Sequence, residues 1–281
     1  MKSLICIAAL LACSCCHTKK DEPVVAAKTS ALTSPCNPGT PNVPAILIHG
    51  RNDTPARWNA LVTSWTAKGY VENTNLFRID LAAYCGSNTF CVMLTGPDGE
   101  GATYVNESYA KCLKRFIDEK VPSGKVDLVT HSQGGVVARY YARFLGADRV
   151  DDLVIMSAPN NGIKNCALAG ACAGVNPEDC PDTAFLRKLN GVAPQGDGTN
   201  DETPAGPSYA AVVSSGDITI SPWCTAYFTL NPDQKQGDDW DCKRTLPTPD
   251  PEADSFKTTV QHLVIPTDSA VIDYAYCRCL D

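Results

Sequence analysis

Ser132 stands where chemistry is easiest to build. It lies in Val126-Asp127-Leu128-Val129-Thr130-His131-Ser132-Gln133-Gly134-Gly135, an apolar run that meets a polar turn and then a helical pattern. A serine in a sharp strand-to-helix turn has its hydroxyl lifted clear of the sheet. Residues two positions away must then be small, because the turn folds them against it. Gly134 meets that need, while Thr130 is β-branched and bulkier. The hydroxyl is a poor nucleophile until a base takes its proton, so an imidazole is the next side chain to seek. The chain has four histidines. His17 lies in a polar N-terminal stretch, His49 ends the run Ile46-Leu47-Ile48-His49-Gly50-Arg51-Asn52, and His131 adjoins the serine. His262, late in the chain, is left.

The segment around Ser132 resembles the nucleophile elbow of the α/β-hydrolases, G-x-S-x-G, with Thr130 in the place of the first glycine. The His49-Gly50 pair after an apolar run resembles the loop that supplies one oxyanion-hole N–H in lipases and esterases of that fold. The resemblance implies backbone donors at Arg51 and at Gln133, the residue after the serine, and a loop-shaping role for His49. The family order is serine, acid, histidine, which implies His262 as the base. Ser214-Ser215-Gly216-Asp217-Ile218-Thr219-Ile220-Ser221-Pro222 resembles the S-x-x-D-x-x-V-x-P segment of bacterial lipases and implies Asp217 as the orienting acid. Asp254, nearer His262 but in a polar loop, and Asp268, better placed as a helix cap, are the competing acids. Pro159-Asn160-Asn161-Gly162 and Phe185-Leu186-x-x-Leu189-Asn190 extend the likeness over most of residues 43–281. Together they resemble the small secreted bacterial triacylglycerol lipase and esterase family. The activity implied is hydrolysis of acyl esters through an acyl-enzyme on Ser132, with no metal or organic cofactor.

Such a constellation needs a frame to hold it, and the apolar periodicity predicts one. Residues 45–48, 76–79, 126–129, 153–156, 209–213 and 258–260 read as short strands. Between them lie helical patterns: one opened by Thr54-Pro55 and carrying Trp58, Leu61, Val62 and Trp65, then 104–121, 136–145 and a piece around 184–189, with a last helix capped by Thr267 or Asp268 and running through Tyr276. Alternation of strand and helix predicts an α/β fold, a mostly parallel sheet of about six strands with helices on both faces. Residues 160–207, rich in Gly, Pro, Asn and Cys, read as an irregular cap over the site. Ile163, Leu168, Val175 and Phe185 are its candidates to line an acyl groove.

Composition narrows the partners. The chain has 281 residues with a formal charge of −7, from 24 Lys+Arg against 31 Asp+Glu. That balance argues against nucleic acid, which needs a basic footprint. Residues 1–12 read as a signal peptide, a short basic start and an apolar core too short to span a bilayer. Leu10-Leu11-Ala12-Cys13 resembles a bacterial lipobox, implying cleavage before Cys13, a lipid on that residue and attachment to a membrane; plain secretion is the alternative. Residues 13–35 read as a tether and 36–281 as the folded domain. The chain carries 15 cysteines, too many for a reduced compartment, and removing Cys6 and Cys13 leaves an odd number. Structural disulfides plus at least one thiol that is free or pairs between chains are therefore expected in an exported protein. Zinc is disfavoured because no histidine stands at ligand spacing beside the later cysteines. Asp238, Asp239 and Asp241 read as a solvated acidic loop rather than a cation site.

Two other readings stay open. The same triad on the same fold serves acyltransfer and the hydrolysis of amides, thioesters or polyesters. A catalytically inactive surface lipoprotein that binds a ligand is the second.

Overall fold

The computed structural model describes residues 39, 41–87, 94, 101–163, 178–221, 223–228 and 253–280. The expected signal peptide, the tether with Cys13, residues 164–177 of the expected cap (Leu168 and Val175 among them) and the acidic loop around Asp238 lie outside these residues.

The chain alternates strand and helix. β1 (Ala45–Ile48) leads through a 3-10 turn to α1 (Asn59–Thr66); then come β2 (Leu76–Ile79), α2 (Leu81–Tyr84), α3 (Val105–Lys120), β3 (Val126–His131) and α4 (Gln133–Phe144). β4 (Val150–Met156), α5 (Ala184–Leu189), β5 (Ser208–Ser214), β6 (Ala253–Thr258) and α6 (Ser269–Arg278) complete the order. Among the described residues the six strands form one sheet, order β2-β1-β3-β4-β5-β6, with every pairing parallel. This is the α/β-hydrolase architecture that the motif order implied.

Strand residues alternate between two cores, as a pleat of period two requires. Ile46, Ile48, Val126 and Leu128 pack with α2, α3, α4 and α5. Ala45, Leu47, Val129 and Val154 pack with α1 and α6. Trp65 of α1 donates its indole N–H to the Ile272 carbonyl, tying those two helices together (3.3 Å). The strand order reverses at β1, which has β2 on one side and β3 on the other. A parallel sheet opens a crevice beyond the carboxyl ends of its strands at such a reversal. Residues 49–53 and 131–133 leave β1 and β3 there.

Several elements depart from the sequence expectation. The sixth strand is Ala253–Thr258, not 258–260. It is one of the two edges of the sheet, with every side chain at least part-exposed, so it carries no apolar run to detect. β3 and β4 extend beyond their apolar centres into Thr130-His131 and Val150-Asp151-Asp152. Thr54 makes no side-chain capping bond, and the chain enters α1 through Pro55–Trp58. Asp268 does cap the last helix, accepting from the N–H groups of Ala270 and Val271. Phe185 is core rather than groove, packed between Tyr104 and Tyr140. Cys85 and Cys112 form a disulfide, and Cys180, Cys224 and Cys277 are also disulfide-bonded. Cys279 is a buried free thiol.

Candidate active site

Ser132 occupies the turn between β3 and α4 with φ 55° and ψ −131°. A non-glycine residue reaches that conformation only when its surroundings impose it. The surroundings do so by close approach. A Cβ on Gly134 would fall 2.6 Å from the His49 carbonyl oxygen and 2.7 Å from that of Ile48. A Cβ on Gly135 would fall 2.7 Å from Ala158 Cβ and 3.2 Å from Thr130 Oγ1. The second contact explains the departure at Thr130. Gly135 leaves room for the larger side chain, and its hydroxyl donates to the Val154 carbonyl on the neighbouring strand (3.1 Å).

Asp217 follows β5, and His262 begins the 3-10 turn His262–Thr267 after β6. Their side chains meet: His262 Nδ1 donates to Asp217 Oδ2 at 2.6 Å. The same oxygen accepts from Ser157 Oγ (2.5 Å), while Oδ1 accepts from the N–H groups of Thr219 and Ile220 (2.8 and 2.9 Å). Burial works to raise the pKa of Asp217, but the bonds from His262, Ser157 and Ile220 outweigh it and hold the carboxyl below its usual range. Asp217 is thus an ionised acceptor whose lone pairs are well used. The competing acids are elsewhere. Asp254 pairs with Arg278 at 2.8 Å, and Asp268 caps α6.

Ser132 and His262 line one cleft of about 260 Å³, together with Arg51, Gln133, Ile163, Asp179, Ile220 and Leu263. The Ser132 hydroxyl makes no hydrogen bond among the described residues, so it faces the cleft unengaged. The two backbone positions singled out as donors, Arg51 and Gln133, line the same space. Gly50 brings the Arg51 loop against the serine: a Cβ there would sit 2.7 Å from Ser132 Cβ. Gln133 opens α4, so its N–H points along the positive end of a twelve-residue helix. His49 is buried beside Asp80, with Nδ1 2.8 Å from the Gly50 oxygen.

Some residues at the site were not singled out by the sequence. His131 Nε2 donates to the His262 carbonyl (3.0 Å), and the two rings lie 4.5 Å apart. Burial, followed by the neighbouring His262, pushes the His131 pKa well down, so this ring is a neutral prop. Ser157 gives a second bond to Asp217 and has φ 49°, a strained position at the end of β4. Asn106, Glu178 and Asp179 approach from α3 and from the chain after residue 177. His131 adjoins Ser132 in its motif, but no short motif marks the others, because each acts through a contact between distant segments. Among the described residues one carboxylate group has cation-like spacing, Asp127, Asp151 and Asp152. It sits at the starts of β3 and β4, at the opposite end of these strands from Ser132.

The sequence matches the palmitoyl protein thioesterase family over residues 44–188. No curated protein matches it. Similar solved structures include an α/β-hydrolase enzyme from the metagenome of lagoon sediments at Mar Chica, Morocco, at 17% identity over 79% of this chain and 83% of that one, TM-score 0.45. Naproxen esterase (carboxylesterase NP) from Bacillus subtilis is 14% identical over 86% of this chain and 85% of its own, TM-score 0.47. A thermophilic esterase from Thermogutta terrifontis is 16% identical over 84% and 89%, TM-score 0.46.

Proposed function

The chain belongs to the palmitoyl protein thioesterase family, and from that membership and the cleft we infer that it is a serine hydrolase cleaving acyl esters and acyl thioesters through an acyl-enzyme. The observation that carries the reading is the 2.6 Å bond between Asp217 and a His262 that shares a cleft with the strained Ser132.

Each role follows from position. Asp217, held ionised, accepts the Nδ1–H of His262 and so fixes the tautomer that leaves Nε2 to take the proton of Ser132. The serine oxygen attacks the acyl carbonyl. The oxygen that gains charge lies against the backbone N–H groups of Arg51 and Gln133, the second reinforced by the α4 dipole. His262 returns the proton to the departing alcohol or thiol. Water then repeats the sequence, freeing the acid and the serine. Because the carbonyl is attacked in the same way whether oxygen or sulfur leaves, family membership widens the lipase-like expectation to thioesters.

An apolar acyl group suits the rim. Ile218 and Leu263, 78% and 58% exposed, directly follow Asp217 and His262, and Val264 is also exposed. Ile163 and Asp179, both within the stretch expected from the sequence to form a cap, line the cleft. The lipobox-like Leu10-Leu11-Ala12-Cys13 supports export from a bacterial cell, with the protein either held at a membrane through a lipid on Cys13 or secreted.

Activity on matched palmitoyl substrates, a p-nitrophenyl ester and a thioester, tests the reading, with an acyl series from acetate upward setting chain length. Ser132→Ala is expected to lose at least about 10³-fold in turnover on both. A fluorophosphonate probe is expected to label Ser132 of the unmodified protein. Retained turnover in the variant, or a folded protein that resists the probe, overturns the assignment.

A further inference from the structure

Side-chain contacts, closed into a ring by one peptide bond, link the two residues whose backbone N–H groups are proposed to bind the oxyanion. Arg51 Nε donates to Gln133 Oε1 (2.7 Å). Gln133 Nε2 donates to Asn106 Oδ1 (2.9 Å), and Asn106 Nδ2 donates to Glu178 Oε2 (2.9 Å). Glu178 is joined by its own peptide bond to Asp179, and Asp179 is ion-paired with the Arg51 guanidinium. Glu178 also accepts from the N–H groups of Val105 and Asn106, fastening the ring to the first turn of α3 (2.5 and 2.9 Å).

The ring answers a geometric problem. Arg51 and Gln133 are 82 residues apart in sequence and leave different strands. Their N–H groups must point at one oxygen, and a displacement of about 1 Å costs on the order of 10²-fold in rate. A planar guanidinium gripped at Nε by one partner and at Nη2 by another has its plane and position fixed. The ring contains buried carboxyls at Glu178 and Asp179, and the desolvation cost of a buried ion pair such as Asp179–Arg51 offsets much of what it contributes to stability. Burial pushes the Asp179 carboxyl up against the pull of Arg51, and burial lifts Glu178 to about 7.

We propose that Asp179, acting through Arg51, is a positioning residue that aligns the oxyanion-binding N–H groups of Arg51 and Gln133. This rests on the reading of Ser132 as nucleophile. Asp179 stands in the stretch expected from the sequence to form a cap, and its ion pair couples that stretch to the proposed catalytic geometry by a charge. Alignment matters where charge develops, so its loss lowers kcat and spares ground-state binding.

The test uses the full chain with Asp179→Asn, which keeps shape and removes charge, and Arg51→Lys, which keeps charge and removes the fork. Gln133→Met, which keeps its own N–H and cuts the ring at another link, covers the case in which a variant at the ion pair fails to fold. Turnover is expressed per fluorophosphonate-titrated site, so that unfolded protein does not count. The expected result is a kcat lower by about 10–100-fold with KM within about threefold. Affinity for an acyl trifluoromethyl ketone, whose tetrahedral adduct carries the oxyanion, is expected to fall by the same factor as kcat. Unchanged kcat per titrated site, or a raised KM with ketone affinity intact, overturns the positioning role. Ser132→Ala separates the two claims. If it is inactive while Asp179→Asn works at full rate, only the positioning role falls; if it is active, both fall.

Discussion

A Cβ added to Gly50 would lie 2.7 Å from the Cβ of Ser132 and 3.3 Å from its Oγ. Two carbons cannot approach so closely, so Gly50→Ala must displace either the loop after β1 or the serine. Both belong to the proposed catalytic geometry. The expected outcome is a loss of about 10²-fold or more in kcat, alongside a stability cost of about 1–3 kcal/mol for overpacking. Steady-state kinetics beside thermal unfolding checks it. A variant with ordinary kcat would mean that the loop does not need to touch the serine.

The frame of this fold was legible because its strands are apolar and its helices periodic. Ala45–Ile48 is buried at every position, and so is the whole of β3, as a sheet covered on both faces requires. The edge strand β6 was not legible, since Ala-Asp-Ser-Phe-Lys-Thr carries neither an apolar run nor a period-two alternation, and none of its residues is fully buried. The candidate site was legible in part. Ser132 and Gly134 stand in a short motif, and Asp217 and His262 stand at places that motif order marks out. Thr130 looked like a flaw in the pattern because its compensation, Gly135, is specified by a contact across the turn and not by its position in a motif. The Arg51 ring was invisible for a stronger reason. Its members come from four separate segments, and nothing local distinguishes Asn106 or Asp179 from any other polar residue.

Asp217→Asn should separate orientation from folding. The asparagine keeps an oxygen for the Thr219 and Ile220 N–H groups but offers no anion to His262 Nδ1. The expected loss in kcat is about 10³–10⁴-fold, with little change in unfolding temperature. Asp254→Asn is the matched control. Asp254 pairs with Arg278 and is half-exposed, so its substitution should leave the rate alone and shift stability by about 1 kcal/mol or less. Equal effects of the two variants would remove Asp217 from its role.

The disulfide between Cys85 and Cys112 closes 27 residues and ties the end of α2 to α3. Chain entropy alone assigns a loop of that length about 3.5 kcal/mol. Cys85→Ala with Cys112→Ala should therefore lower the unfolding temperature by about 10 °C, measured without reductant. Cys279, buried and reduced, should resist a thiol reagent until the chain unfolds. Prompt labelling of Cys279 in the folded protein would show that α6 opens locally.

Asp127 makes stability depend on pH in a direction opposite to that of a salt-bridged acid. It lies at the start of β3, fully buried; Oδ1 accepts a long bond from the Asp152 N–H (3.3 Å), and Oδ2 has no partner among the described residues. Burial, with Asp152 adding repulsion, pushes its pKa up to about 9. An unfolded aspartate titrates near 4, so between about pH 4 and pH 9 folding takes up a proton at this site. Stability from Asp127 is accordingly full below the unfolded pKa and is lost as pH rises toward the folded one. Asp127→Asn carries no proton to gain or lose. Its stability relative to the unmodified protein should improve between pH 5 and pH 8 by about 2 kcal/mol or more, whatever its absolute value at either pH. Denaturant unfolding of both proteins at the two pH values checks the sign, because groups common to both cancel in the difference. A difference that stays flat would mean that the carboxyl is ionised in the folded state, and that the orphaned oxygen has found a cation or a donor at the foot of the sheet.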